Sequence, residues 1–182
     1  MLASRKMESI ADVIAVRRMR LATRSGYWSL LVRVLIVAAV GYLFATRLFL
    51  ITQVSGMDMF PALKDGDLAI VFRLQQEYAK DDVVAYETTE GLRFGRIIAR
   101  ESDVVMMDDT GTLTVNGTVQ SGEILYPTYA LEGIEYPYRV PEGCVFVLGD
   151  YRTRATDSRT RGAISMDEVS GKVITILRRR GL

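Results

Sequence analysis

A hydroxyl, thiol or carboxylate can attack a peptide bond only beside a group that accepts or holds its proton. Histidine, the commonest such group, is absent from all 182 residues, so no Ser-His or Cys-His pair and no histidine-containing zinc site can form. Cys144 is the sole cysteine and can neither close an intrachain disulfide nor build a cysteine-rich metal centre. It stands in GCVFVLGD, an apolar strand-like run, and reads as a small buried core residue; a reactive thiolate would need a basic neighbour. A serine such as Ser55 or Ser158 could attack only if recruited by a lysine such as Lys64 or Lys80. A carboxylate, Asp58, stands in the stretch VSGMDMFPALKDGD. No metal and no cofactor is expected.

Such groups need elements to hold them. Residues 27–51, YWSLLVRVLIVAAVGYLFATRLFLI, are long and apolar enough to span a bilayer as a helix. Arg33 and Arg47 bracket a charge-free core from Val34 to Thr46, about 20 Å at helical rise, and both can snorkel towards headgroups. Tyr27 and Trp28 mark one interface. A buried soluble helix would trap both guanidinium groups unpaired, and a cleaved signal peptide would need an A-x-A site that does not follow. Before the span, Arg5, Lys6, Arg17, Arg18, Arg20 and Arg24 face only Glu8 and Asp12, which keeps the N-terminus cytoplasmic and the remainder outside. Residues 9–22 fit either a short interfacial helix, with Ile10, Val13, Ile14 and Arg17 at helical spacing, or a flexible tail. The expected organisation is a basic cytoplasmic segment over 1–26, a single span over 27–51 and an outer domain over 52–182.

From Thr52 onward, short β-rich runs alternate with turn signals: LAIVFRL, DDVVAYET, LRFGRIIA, DVVMMDD, TLTVNGTVQ, CVFVLGD and GKVITILR. Asn116-Gly117 predicts a tight hairpin turn and residues 108–111, DDTG, another. Residues 126–143 hold three of the four prolines and read as an irregular loop. The pattern predicts a mainly β domain of antiparallel sheets. Lys+Arg of 23 against Asp+Glu of 22 leaves no net basic field for nucleic acid.

Three blocks in register resemble the type I signal peptidases, family S26, in the compact form of Gram-positive bacteria. They are Gly56 to Leu63 with Gly66-Asp67, Arg93 to Asp103, and Val140 to Gly162. The resemblance covers residues 27–182 and implies an antiparallel signal-peptidase-like β domain on a single N-terminal transmembrane helix. It also implies a serine nucleophile three residues before the proline, a lysine base before the arginine of the second block, and a serine orienting that lysine. Here those positions are Asp58, Gly95 and Ala155, and the asparagine of the family's G-D-N-R is Tyr151. A carboxylate attacking a peptide would form an anhydride while expelling a poor amine leaving group, and its charge would repel the oxyanion. A glycine supplies no base. No catalytic residue is therefore expected.

By the same resemblance, Arg96 should bridge Asp150, while Asp157, Ser158 and Arg159 brace the loop beneath the site. Gly56, Met57, Met59, Phe60, Pro61 and Phe94 should line a groove that holds an extended peptide by strand addition. Gly95 should leave room where a lysine chain would have run, so restoring Asp58→Ser and Gly95→Lys should revive cleavage in an intact groove. The roles this leaves are a non-catalytic membrane protein that binds secreted precursors, similar to signal-peptidase-like accessory proteins of pilus loci; a peptidase with a non-standard or partner-supplied site; and a regulator of an active signal peptidase. In the first role the partners would be the membrane, pilin subunits or other secreted precursors, and sortase.

Overall fold

The computed structural model describes residues 2–120 and 125–178. The chain divides into two compact units, Met1–Thr46 and Arg47–Leu182. The first belongs to α1 (Leu2–Leu48), a helix of 47 residues. Residues 9–22 are thus neither a separate short helix nor a loose tail: no proline or glycine interrupts the chain before Gly26, and Ala, Arg, Leu and Met favour helix throughout. Its segment Gly26–Leu48 is long and apolar enough to cross a bilayer, 23 residues or about 35 Å. Residues 49–51, expected within the span, instead begin strand β1 (Phe49–Gln53), where Phe49 pairs with Phe72 and Ile51 with Ile70.

The second unit is mainly antiparallel β. After β1 come β2 (Leu68–Phe72), β3 (Val83–Thr88), β4 (Gly91–Arg100), β5 (Val104–Met107), β6 (Leu113–Val115), β7 (Thr118–Val119), β8 (Tyr138–Arg139), β9 (Cys144–Leu148), a short helix α2 (Ser158–Arg161), β10 (Ile164–Ser165) and β11 (Val169–Leu177). One sheet runs β1-β2-β11-β3-β4-β9-β10 and a second β7-β6-β5-β8. All seven expected β-rich runs are strands. Asn116 and Gly117 both take positive φ, 52° and 77°, and turn β6 into β7, the geometry that favours Asn-Gly. At 108–111, Gly111 N–H donates to the Asp108 carbonyl at 3.1 Å. The 126–143 segment is irregular apart from the two residues of β8, which pair with β5.

Apolar side chains join the two sheets: Ile98, Phe146 and Leu148 of the first pack with Val105, Leu113 and Val115 of the second. Cys144 is only half-buried at the edge of this cluster rather than within it, because β9 begins there and the core lies towards its following residues. A second cluster gathers Val54, Met59, Leu63, Ala69, Val71, Ala85 and Phe94 under the β1–β2 connection. One detail of register shapes the site. β3 pairs with all of Gly91 to Arg96, whereas β9 pairs with β4 only from Arg96 to Arg100. Residues 91–95 of β4 therefore have a strand on one side only.

Candidate functional site

Asp58 lies in the turn-rich connection between β1 and β2. Gly56 takes a φ of 89°, which glycine tolerates without penalty, and its N–H donates to Asp65 Oδ1 at 2.9 Å. The buried Asp67 closes the connection: its carbonyl accepts from Val54 N–H at 2.8 Å and its Oδ2 from Lys64 N–H at 3.0 Å. The Asp58 carbonyl accepts from Tyr151 N–H at 2.9 Å, fastening the connection to the turn after β9. Packing there leaves no slack: a Cβ built on Gly149 would sit 2.6 Å from the Asp58 carbonyl oxygen and collide with the Ala155 methyl.

The Asp58 side chain is committed to an ion pair. Its Oδ2 accepts from Arg93 Nη1 at 2.8 Å. Arg93 Nη2 donates to Glu90 Oε2 at 2.6 Å, and Glu90 Oε1 forms an ion pair with Arg161 Nη2 at 3.0 Å. Four side chains thus form a chain of alternating charge, Asp58, Arg93, Glu90, Arg161. The hydrogen bond to Glu90, opposed by burial and aided by the Asp58 charge, holds the Arg93 guanidinium above its already high range. A group so firmly protonated cannot take a proton from a nucleophile.

Gly95 does not open a channel. A Cβ placed there would run into Val147 Cγ1, and Tyr86 Cε1 would lie 3.3 Å away. The expected vacancy is filled by two side chains from the neighbouring strands β9 and β3, so a lysine at 95 cannot enter without repacking Val147. Tyr86 is itself buried, and its phenol is pushed up to about 12, chiefly by desolvation and then by the Asp157 charge. Ala155 is also buried, its methyl against Gly149.

Arg96 meets Asp150 bidentately, Nε to Oδ1 at 2.8 Å and Nη2 to Oδ2 at 2.6 Å, and Nη1 donates to the Asp81 carbonyl at 2.8 Å. Asp157 caps α2 by accepting Arg159 N–H at 3.0 Å, accepts Gly149 N–H at 3.1 Å, and pairs twice with the Arg159 guanidinium at 2.9 Å. Arg159 Nη2 donates to the Arg152 carbonyl at 2.6 Å. Burial pushes Arg152 down to about 10, still charged at neutral pH, and it donates to the Gly149 carbonyl, Thr128 and Gln120. Ser158 is fully buried and its Oγ accepts Val147 N–H at 3.0 Å, which places it out of reach of an external peptide. Lys80 pairs with Asp103 at 3.2 Å, and Lys64 lies 5.8 Å over the Phe60 ring. Among the described residues neither lysine meets a serine.

Of the expected groove, Gly56 and Met57 are exposed and Phe60 and Pro61 half-buried. Met59 and Phe94 are not lip residues: both are buried in the cluster beneath, because the 57–63 turns direct Met59 and Leu63 inward together and Phe94 faces the same side of β4. Tyr151 adds aromatic surface beside Phe60. Its ring stacks on Tyr126 at 4.7 Å and lies 6.0 Å from Phe60. Sequence reasoning passed over Arg93, Glu90 and Arg161. The available signal was the two-residue period of β4, which puts Arg93 on the same face as position 95.

The model of the family described as Signal peptidase, peptidase S26, matches residues 27–177. Signal peptidase I of Bacillus caldolyticus is 29% identical over 168 residues, covering 82% of this chain and 88% of its own length. Signal peptidase I of Bacillus licheniformis is 33% identical over 155 residues, 77% of this chain and 83% of its own. A crystal structure of a signal peptidase I from Enterococcus faecalis matches with a TM-score of 0.44 at 27% identity, over 54% of this chain and 97% of that one.

Proposed function

The chain belongs to the signal peptidase family, peptidase S26, and from that premise we propose a membrane-anchored member that holds secreted precursors without cutting them. The observation that carries this reading is the 2.8 Å pair between Asp58 and Arg93. At the position where the family keeps its nucleophile, this chain has an anion already engaged by a guanidinium. Neither is suited to the work of a Ser/Lys dyad, which needs a hydroxyl and a neutral amine. The filled space beside Gly95 supports the same reading, since no base has an approach there. Ala155 completes the set of three vestigial positions with Asp58 and Gly95.

Holding an extended peptide requires a strand edge and a shaped wall rather than a nucleophile. The one-sided stretch 91–95 of β4 supplies an edge, and Met57, Phe60 and Tyr151 supply apolar surface near Asp58. The clients in this reading are secreted precursors, with pilin subunits and the sortase that joins them as the specific candidates; that assignment rests on analogy with signal-peptidase-like accessory proteins of Gram-positive pilus loci. The helix Gly26–Leu48 anchors the protein as a single pass, with the basic flank placing the N-terminus in the cytoplasm and the β domain outside. Photo-crosslinking from position 57 or 60 in the native membrane tests the proposal. An adduct with a secreted precursor whose signal peptide is intact is the expected result. Adducts with lipid alone would show that nothing is held there.

A further inference from the structure

Two arginines from separate elements converge on one exposed carboxylate. Arg93 projects from β4 and Arg161 from the end of α2, and Glu90 at the tip of the β3–β4 hairpin gives one oxygen to each, at 2.6 and 3.0 Å. The Glu90 side chain is 59% exposed and makes no polar contact beyond those two among the described residues, its backbone N–H donating to Thr88 Oγ1 at 3.3 Å, whereas Arg93 is only 27% exposed and anchored from its other side by Asp58. The Arg93 Nε is buried without a hydrogen-bond partner among the described residues, so this guanidinium donates only through its two terminal nitrogens. The receptor half is therefore built into the domain, while the occupant is a surface side chain on a turn. Exposed ion pairs of this kind contribute little net stability, because water and salt screen them. A carboxylate arriving on a ligand that gains contacts elsewhere can take the place of Glu90 with little loss.

We propose that Arg93 and Arg161 form a carboxylate-binding subsite, occupied in the free protein by Glu90 as a built-in stand-in, and that the client peptide presents an acidic side chain to it. This deepens the holding function and rests on it. The subsite lies beside the one-sided stretch of β4, so a peptide laid along residues 91–95 passes within side-chain reach of Arg93. A planar carboxylate suits two converging guanidiniums, as Glu90 itself demonstrates. No covalent step is involved: Glu90 swings to solvent, and the incoming carboxylate takes over its two ion-pair contacts.

The test uses the full-length chain in detergent micelles and two fluorescein-labelled ten-residue Ala/Thr-rich peptides, amidated at the C-terminus, with a single central Asp or Asn. Anisotropy titration should show the Asp peptide binding about 3-fold tighter than the Asn peptide at low salt, a preference that fades as salt screens the charges. Glu90→Gln should tighten the Asp peptide by about 10-fold and leave the Asn peptide nearly unchanged, while Arg161→Gln should abolish the preference. Circular dichroism confirms that each variant is folded. A version of the Asn peptide with a free C-terminus distinguishes a terminal from a side-chain carboxylate, and tighter binding of that version alone would overturn the side-chain assignment. Equal binding of Asp and Asn peptides, unmoved by Glu90→Gln, would remove the subsite and leave the holding function intact. Binding of no peptide by any folded form would remove the holding function and the subsite together.

Discussion

Two sets of ion pairs in the β domain behave as opposites. Asp157 and Arg159 are each 2% exposed, and every polar atom of that carboxylate is answered by a backbone or guanidinium donor. Asp58 and Arg93 are each 27% exposed, and their chain runs outward to Glu90 in solvent. The first pair organises α2, the Gly149 turn and the carbonyl of Arg152 at once; the second ties side chains together and leaves the backbone to other bonds. Scaffold and cleft have thus been under different physical constraints. The buried pair cannot change without leaving an uncompensated charge, whereas the more exposed pair can be exchanged at little cost.

Breaking the buried pair should have the largest effect. Asp157→Ala strands Arg159 in a dry site and strips the cap from α2, a loss of about 3–5 kcal/mol; a chemical denaturation curve of the full chain in micelles measures it. Next comes Gly95→Lys, which must displace Val147 and should cost about 1–3 kcal/mol by overpacking. The double change Asp58→Ser with Gly95→Lys should accordingly stay inactive in a precursor cleavage assay, and adding Val147→Ala is the variant that gives the lysine room.

Tyr86 lies between the two regions and feels both, through Asp157 on one side and Arg93 and Asp58 on the other. Its phenol is raised from 10 to about 12 in the folded state. Folded and unfolded forms bind the proton equally below pH 10, so stability is intact there. Between pH 10 and about 12 the unfolded chain ionises first and the fold is progressively weakened, by about 1 kcal/mol at pH 11. Thermal melts at pH 9 and 11 should show that loss, and Tyr86→Phe should lack this part of it. Smallest of all is Asp58→Ala. A half-exposed pair contributes about 0–1 kcal/mol, so the melting temperature should barely move. A large drop would mean that Asp58 belongs to the scaffold and would collapse the distinction between the two sets.

The strands were legible because their alternation and turn chemistry are local: Asn116-Gly117 specifies its own hairpin whatever surrounds it. β1 was not, since Phe49–Ile51 continue the apolar run of α1 and a short apolar strand cannot be separated from a helix end by period alone. β8 and β10, two residues each, offer no period at all. Arg96–Asp150 could be expected from the resemblance alone, although 54 residues separate the two side chains. Arg93–Asp58 had no such guide, being a tertiary contact between side chains 35 residues apart. The fate of Gly95 was equally hidden. A glycine reads as empty space in a sequence, and only the packing of β9 against β4 brings Val147 into it.

Holding without cutting, as proposed, is tested most directly by one measurement. The purified full-length protein, reconstituted in lipid vesicles, is incubated with a radiolabelled secretory precursor beside an active signal peptidase I as control. The control should release the mature product while this protein leaves the precursor full-length over hours. Release of the mature product by this protein, abolished by Asp58→Ala, would contradict it.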